Sequence, residues 1–359
     1  MELNKNRRID YIDIAKGIGI ILMVMGHSLG TEFKLKTFIY LFHMPLFFFI
    51  SGYFIKDESF NNIKKFFFKK VKGIYWPFLK YSLIFVILNN VFVYLHIYNN
   101  NGYYSIIQSI KAIIDCFLFR RVDQLLGAFW FFGVLFLAEI IFVLTGNIIV
   151  KLVKNNQDIV IGIISFIYFI IGAILSILNF SLPKRLHLIF IPIFFIYLGY
   201  LYRKCEEKIK YNVAIFIPFI IILFMLTYKN IKVEMSANSY SNILMFIVGA
   251  LLGIYCTFYI SKLISGKCNY MKKFTIYAGK NTIIIMALHM LCFKIINLLQ
   301  VILYKKSYDL ISSWPILYSN GGWWILYTII GVLIPLIINY LLYKISNTKN
   351  CLKFKLVSR

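Results

Sequence analysis

The first apolar segment of the chain, residues 8–28, carries an amine and an imidazole at a spacing that suits chemistry on one helix face. Lys16 and His27 are eleven residues apart, which places them within roughly 20° of the same face and about 16 Å apart along a helix axis. Asp13 lies on the same stripe. Ionised groups in a bilayer cost roughly 2.5–3.5 kcal/mol each, so they normally face a bundle interior or a watered cavity. The stripe therefore predicts a site.

A simpler interpretation of this stripe stays open at this point. Asp13 and Lys16, three residues apart, can pair near the inner membrane interface while His27 is solvated at the outer one.

The composition is typical of a membrane protein. Of the 359 residues, 60% are hydrophobic and 18% aromatic, well above a soluble domain. The first apolar segment has no small-residue cleavage site, so we expect a retained span. We predict an all-α fold, a polytopic integral membrane helical bundle in one domain, 1–359. About ten transmembrane helices are expected, because ten apolar segments approach the span length of about 20 residues: 10–29, 38–55, 73–98, 124–148, 159–178, 186–202, 211–228, 242–261, 274–299 and 323–343.

The positive charge is distributed unequally between the two sides of this predicted topology. The formal net charge is +25, which in a soluble protein would suggest nucleic acid. Here 25 Lys and Arg residues fall on the side of the termini and 11 on the other side. The positive-inside rule then predicts that both termini are cytoplasmic, and no nucleic-acid partner is expected.

The cysteines indicate neither a disulfide framework nor a metal site. All six are scattered, without a Cys-x-x-Cys pair or a Cys/His cluster: Cys116, Cys205, Cys256, Cys268, Cys292 and Cys351. We expect no metal and no permanently bound cofactor.

The second predicted span begins with His43-Met-Pro45 and continues to Ser51-Gly52. Pro45 cannot donate to the carbonyl of Leu41, so the helix should bend close to His43. An ordinary proline kink with a hydrogen-bonded histidine is the structural alternative.

A basic segment follows the second span. Lys69, Lys70 and Lys72 are interleaved with aromatic residues and precede Tyr75. Such a stretch suits a helix on the inner surface, with its ammonium groups facing anionic lipid or a phosphorylated ligand. The lipid interpretation is the commoner one, but the position close to the inner end of the Lys16 helix keeps the ligand interpretation open.

Three further residues inside predicted spans are candidates for the site. Trp130 opens the fourth span and Glu139 lies about two turns further in. A lone intramembrane carboxylate is a functional candidate by default, although Glu139 can equally be a structural partner of Lys80 or Lys294. His289 places another imidazole in the ninth span.

Four motifs in order resemble the acyltransferase-3 family of integral membrane acyltransferases. Lys16 to His27 is similar to its Arg/Lys-x10-His motif, and the surrounding residues resemble the fucose 4-O-acetylase-like branch. His43-Met-Pro-Leu-Phe-Phe-Phe-Ile-Ser-Gly-Tyr resembles the second-span motif. Lys69-Lys70-Val-Lys72 occupies the place of a basic Arg-x-x-Arg pair, and Gly279-Lys-Asn-Thr to His289 resembles a late Gly-Lys-x-(Ser/Thr)…His segment.

This resemblance implies transfer of an acyl group, usually acetyl, from cytoplasmic acyl-CoA to a sugar hydroxyl. The expected acceptor is a surface glycan or a lipid-linked oligosaccharide precursor, and the expected location is the bacterial cytoplasmic membrane, in contact with its lipids. His27 would be the general base, with Asp13 holding Lys16. The donor phosphates would bind Lys16, Lys69, Lys70 and Lys72.

The remaining roles are implied less directly. Tyr75 joins the expected donor site, whereas the expected substrate-binding residues are His43, Ser51, Trp130, Glu139 and His289. An acyl-enzyme intermediate stays open, with Ser28 and Ser51 the hydroxyls beside a matched motif. Two other classes of protein also fit a polar path through a bundle: a carrier or flippase for a lipid-linked sugar, and a non-catalytic membrane sensor.

Overall fold

The computed structural model describes residues 10–30, 33–98, 102–120, 123–229, 231–267 and 269–357, with side chains to position 346 except at 267. Arg121, Cys268 and the basic residues of positions 1–9, which entered the charge and cysteine arguments, lie outside this set, as does the Cys351 side chain. The described chain is almost entirely α-helical. The predicted all-α polytopic membrane bundle is thereby confirmed.

Sixteen α-helices form the described chain. They are α1 (Asp10–Ser28), α2 (Lys34–Tyr40), α3 (His43–Tyr53), α4 (Glu58–Asn61), α5 (Ile63–Lys70), α6 (Trp76–Ile87), α7 (Asn89–Tyr94), α8 (Ile106–Phe117), α9 (Trp130–Leu152), α10 (Gln157–Ile177), α11 (Phe190–Cys205), α12 (Val213–Tyr228), α13 (Ile243–Lys267), α14 (Asn269–Lys280), α15 (Thr282–Leu303) and α16 (Trp323–Val357). A π-helical turn (Val71–Tyr75) joins α5 to α6, and short 3-10 turns cover Gln124–Phe129, Pro183–Ile189, Glu206–Lys208, Met235–Ala237 and Tyr308–Ser312. Two short antiparallel strands, β1 (Val233–Glu234) and β2 (Ser239–Tyr240), pair Val233 with Tyr240.

Eight segments of the described chain are long and apolar enough to cross a membrane: Asp10–Ser28, Lys34–Tyr53, Gln124–Leu152, Gln157–Ile177, Pro183–Lys208, Ile243–Gly266, Thr282–Leu303 and Trp323–Ser346. The sequence predicted about ten. The two differences are the predicted span 211–228, which is the 16-residue helix α12, and the predicted span 73–98, which is broken.

The break in the span 73–98 falls at a pair of asparagines. The buried Asn89 amide donates to the carbonyl of Gly102 at 3.5 Å, and Asn90 accepts from the backbone N–H of Tyr104 at 2.7 Å. These bonds hold the start of α7 against the chain that follows it at 102–104. Helix α6 ends after 12 residues, and the chain continues in the short α7.

The bend predicted near His43 is confirmed. Lys34–Tyr53 is one apolar segment, but α2 ends at Tyr40 and α3 begins at His43, with Phe42 at φ −139° and ψ −18°. Pro45 is the third residue of α3, where its missing N–H breaks no bond within the helix. His43 thus lies at the N-terminus of α3.

Ion pairs among the predicted inner loops agree with the topology from the charge count. Lys204 pairs with Asp57 at 2.9 Å and with Asp158 at 2.8 Å, and Lys272 pairs with Asp10 at 2.8 Å. All five lie at or beside the membrane boundary that the sequence assigns to the side of the termini. We call this side inner and the opposite side outer.

Helix α1 packs in the centre of the bundle, in contact with α3, α13, α14, α15 and α16. Its contact with α14 depends on glycine, because a Cβ on Gly17 would overlap the carbonyl of Thr275, and a Cβ on Gly279 would overlap the carbonyl of Asp13. Gly279 begins the late motif noted in the sequence. Its place in the fold is therefore to let α14 approach the backbone that carries Asp13.

Candidate active site

The inner end of α1 carries the predicted ion pair. The ammonium of Lys16 lies 2.7 Å from Asp13, whose side chain is only 3% exposed. The same ammonium lies 5.4 Å from the ring centroid of Phe54. Asp13 thus holds Lys16 beside Phe54, at the end of α3.

Phe54 also lines a cavity on the inner side, which we call the inner cavity. Its volume is about 560 Å³, and its wall contains Lys56, Lys65 and Lys69 together with Glu58. Burial lowers the pKa of Lys69 below the ordinary lysine value and the neighbouring Lys70 ammonium lowers it further, whereas the Glu139 carboxylate acts in the opposite direction. The inner cavity is therefore a cationic pocket adjoining Lys16.

Lys70 faces the bundle interior. Its ammonium forms an ion pair with Glu139, which is fully buried, and the hydroxyl of Ser51 donates to the same carboxylate oxygen. Glu139 thus pairs with Lys70. It pairs with neither Lys80 nor Lys294, the two partners that the sequence suggested. Lys70 lies over Phe66 at 5.1 Å, and Phe66 lines the inner cavity, so the pair lies directly behind the cavity wall.

One oxygen of Glu139 remains without a hydrogen bond in the described part of the chain. This oxygen, Oε2, is buried, whereas Oε1 receives both Ser51 and Lys70. A buried carboxylate oxygen normally has a partner. Glu139 can therefore accept one further donor, such as an amide N–H of a bound substrate.

The other two members of the predicted donor site lie elsewhere. Lys72 is exposed and does not line the inner cavity. The Tyr75 hydroxyl donates to the carbonyl of Phe117 at 2.9 Å, and its ring packs 5.2 Å from that of Phe119. The π-helical turn at Val71–Tyr75 changes the helix phase between the lysines and Tyr75, so the sequence spacing did not predict these directions.

At the other end of α1, His27 lies beside His289, with ring centroids 5.3 Å apart. His289 is the eighth residue of α15, and fourteen residues of that helix follow it, a length of about 21 Å. His27 therefore lies within the bundle, which argues against the interpretation that it is solvated at the outer interface.

The tautomers of two histidines are fixed by the backbone. His289 Nδ1 lies 3.1 Å and 3.0 Å from the carbonyl oxygens of Ile285 and Met286, and His43 Nδ1 lies 2.9 Å from that of Ile39. Carbonyl oxygens only accept, so each Nδ1 carries a hydrogen. In the neutral rings each Nε2 is then an acceptor, and that of His289 has no partner among the described residues.

His27 and His43 line one small cavity, which we call the histidine cavity. Its volume is about 30 Å³. Its wall combines the two imidazoles with four methionines and residues of the outer loops: Met23, His27, Tyr40, His43, Met44, Ala128, Trp130, Val233, Glu234, Met235 and Met286. The cavity is close to the size of one small group, since a water molecule takes about 30 Å³ of liquid volume.

Trp130 joins the histidine cavity to a much larger one on the outer side, which we call the outer cavity. The outer cavity has a volume of about 730 Å³ and reaches Gly133 and Leu137 on α9. Trp130 lines both cavities. The hairpin at residues 231–241 contributes to both as well, with Met235 facing the histidine cavity and Ser236 facing the outer cavity.

The two candidate nucleophilic hydroxyls are both engaged. Ser28 donates to the carbonyl of Met25 at 2.8 Å and lies 2.9 Å from the Thr328 hydroxyl, and Ser51 donates to Glu139. Neither residue lines the histidine cavity.

Sequence reasoning missed three residues that the fold brings to these sites. Lys56 and Lys65 were not singled out in the sequence, yet both line the inner cavity. Glu234 lines the histidine cavity and accepts from Ser236 at 2.5 Å. No local signal distinguished Glu234, because only the folded hairpin places it over the end of α1.

Comparison with known proteins gives one match. A search of curated proteins and a search of solved structures each found no significant match. The family profile described as an acyltransferase domain, Acyl_transf_3, matches residues 9–343, which is nearly the whole chain and includes every candidate site residue. The chain therefore belongs to the acyltransferase-3 family of membrane acyltransferases.

Proposed function

We propose that the protein is an O-acetyltransferase that moves an acetyl group from cytoplasmic acetyl-CoA to a hydroxyl of a surface glycan or its lipid-linked precursor. The observation that carries this proposal is the placement of two unlike cavities at the two ends of α1. A cationic cavity adjoins Lys16 on the inner side, and a histidine-lined cavity surrounds His27 within the bundle.

The inner cavity suits the phosphorylated end of the donor. Lys56, Lys65 and Lys69 line it, and Lys16 lies at its edge beside Phe54. Phosphate groups are bound well by ammonium groups acting as point charges. The donor site proposed here thus keeps Lys16 and Lys69 from the sequence prediction, adds Lys56 and Lys65, and leaves out Lys70, Lys72 and Tyr75.

The acyl arm of the donor has to run along α1 to reach His27. Ile20 and Met23 lie on the same helix face, between Lys16 and His27, and both are buried. The Glu139 oxygen that lacks a partner in the described chain lies behind the wall of the inner cavity and is suited to an amide N–H of the arm. Binding energy from this remote part of the donor would orient the thioester for reaction.

In the transfer step, the acceptor hydroxyl oxygen attacks the thioester carbonyl carbon. The new C–O bond forms, the C–S bond breaks, and CoA leaves as the thiolate. An imidazole takes the hydroxyl proton and returns it to the thiolate, which leaves no net charge. We assign this role to His27, which lines the histidine cavity at the outer end of the route along α1. General base catalysis by a positioned imidazole contributes typically about 10²–10⁴-fold. His43 and His289 surround it with Nε2 acceptors.

The small histidine cavity favours a short acyl group. Four methionines limit a volume of about 30 Å³, which suits acetyl better than a long chain. The residues around Lys16 and His27 resemble the fucose 4-O-acetylase-like branch, which supports the same choice. The cytoplasmic membrane of a bacterium is the proposed location.

The experiment is to measure acetyl esters on host surface glycans by NMR, before and after mild base, in a deletion strain. The strain is complemented with wild type, His27→Gln or the control His96→Gln, all at equal membrane abundance. His96 is an exposed outer histidine, paired with Asp309 at 3.1 Å. We expect one acetyl signal to be lost on deletion, restored by wild type and His96→Gln, and not restored by His27→Gln.

Two results would contradict the proposal. If no acetyl ester changes on deletion, the protein does not acetylate the glycans of that host. If His27→Gln restores the ester fully, the carrier or the sensor that the sequence also allowed becomes the better interpretation.

A further inference from the structure

The outer cavity is strongly cationic. Arg120, Lys184 and Arg185 line it, and no Asp or Glu is among its described lining residues. The predicted outer loops contain few Lys and Arg residues, and both of those in residues 179–185 face this one cavity. Three cations in one concave wall raise the local concentration of anions.

Two of these cationic residues have an unusual backbone conformation. Lys184 and Arg185 have φ of 55° and 59°, in the left-handed region that side chains other than glycine seldom adopt. Two such residues in succession persist only where the surrounding structure holds them, and strain of this kind is concentrated at ligand-binding sites. The fold therefore maintains an unfavourable conformation that brings both side chains into the cavity wall.

A histidine adds a neutral hydrogen-bond donor to the same wall. His187 is 7% exposed, and its Nδ1 accepts from the backbone N–H of Leu182 at 3.1 Å. The hydrogen of the neutral ring is then on Nε2, which can donate. Guanidinium, ammonium and imidazole N–H groups together suit an oxyanion.

The position of this cavity assigns it to the acceptor. It adjoins the histidine cavity through Trp130 and the hairpin at 231–241, whereas the lysines assigned to the donor lie in the inner cavity. A substrate held in the outer cavity therefore approaches His27 from the outer side.

We propose that the acceptor carries a phosphate or carboxylate close to the hydroxyl that is acetylated, and that Arg120, Lys184 and Arg185 bind this anionic group. The inference rests on the proposed function and narrows its acceptor to an anionic glycan unit. Charge-assisted hydrogen bonds from the three cations would fix the acceptor so that its hydroxyl faces the histidine cavity.

The first test maps the acetyl ester in the same deletion strain. The complementing variants are Arg120→Gln/Lys184→Gln/Arg185→Gln, with Lys305→Gln/Lys306→Gln as a matched control of exposed outer lysines. We expect the ester that depends on His27 to lie on units carrying phosphate or carboxylate, and the triple variant to reduce it about tenfold or more. The control should retain it.

An ester on a glycan without phosphate or carboxylate, or full acetylation by the triple variant, would overturn this proposal while leaving the proposed function in place. Absence of any ester that depends on His27 would instead remove the proposed function, and a second measurement then decides the anionic site.

The second test does not need acyl transfer. The variant Ser236→Cys, which places a thiol in the outer cavity, is prepared in right-side-out vesicles of neutral lipid. It is labelled with two thiol reagents, one bearing a sulfonate and one bearing a trimethylammonium group. Asn320→Cys is the control, and the unsubstituted protein gives the background. We expect the anionic reagent to be favoured about tenfold at Ser236→Cys relative to the control. N-acetylglucosamine 1-phosphate should slow the labelling, and N-acetylglucosamine should not. Equal protection by both sugars, no protection by either, or protection only by added phosphatidylglycerol would refute an anionic acceptor site, and the last result would assign the cavity to lipid headgroups.

Discussion

Replacing Glu139 by glutamine should destabilise the protein much more than it weakens donor binding. The Glu139 side chain is fully buried and that of Lys70 is 13% exposed. Removing one partner of a buried ion pair costs about 3–5 kcal/mol, because the other charge stays buried and uncompensated. With an unfolding entropy of about 2.1 cal/mol/K per residue over 359 residues, Tm should fall by about 4–7 °C.

The double variant Glu139→Gln/Lys70→Met separates this cause from a general loss of packing. Because it removes both charges, it should recover most of the lost Tm, with a coupling energy of about 0.5–3 kcal/mol between the two sites. Thermal unfolding of the purified proteins is followed with a thiol-reactive dye, since Cys116, Cys256 and Cys292 are buried. Donor KM is measured on the same samples. An unchanged Tm for Glu139→Gln, together with an increased donor KM, would refute the reasoning and return Lys70 to the donor site.

Three other perturbations test separate parts of the structure. Met286→Ala enlarges the histidine cavity, so kcat/KM for butyryl-CoA relative to acetyl-CoA should rise about tenfold or more, since about tenfold is the lower end of what a single methylene supplies in a pocket and butyryl adds two; an unchanged ratio would place the acyl group elsewhere. In the proposed donor site, phosphates bind the protonated form of Lys69, whose pKa is lowered by burial and by Lys70. Donor KM should therefore increase as pH rises through this lowered pKa, which lies below the ordinary value of about 10.4. Lys69→Arg, which stays charged, should move that increase to higher pH, and identical pH profiles would contradict the assignment. Gly279→Ala pushes α14 away from the Asp13 carbonyl and should cost about 1–3 kcal/mol in thermal unfolding, whereas the exposed Gly266→Ala, which meets no atom within 4 Å, should not reduce Tm.

The sequence predicted the positions of residues that depend on helical spacing alone. Lys16 and His27 lie on one face of α1, towards its inner and its outer end, and the chain bends next to His43, close to where Pro45 predicted. The pairing of Asp13 with Lys16 is a contact between residues three apart, which local geometry determines. These predictions depend only on positions along one helix.

The remaining parts of the site depend on contacts between distant segments. Lys70 pairs with Glu139 because α5 packs against α9, and no sequence period distinguishes it from Lys69, which lines the inner cavity, or from the exposed Lys72. Glu234 reaches the histidine cavity only because a hairpin folds over the end of α1. The predicted count of about ten spans treated each apolar segment as one helix, whereas the third is interrupted between α6 and α7, next to asparagines that bond the chain at Gly102 and Tyr104.

The depth of His27 also bears on how a membrane stays sealed around an enzyme with the two substrates proposed here, one on each side. Neither substrate has to be carried across the whole bilayer if donor and acceptor enter from opposite ends and meet near the end of α1. The barrier between the two compartments is then reduced to a few side chains, among them Ile20, Met23 and the wall of the histidine cavity. These side chains must let an acetyl group pass while they keep ions on their own side, which is a reason for lining so small a space with flexible methionines.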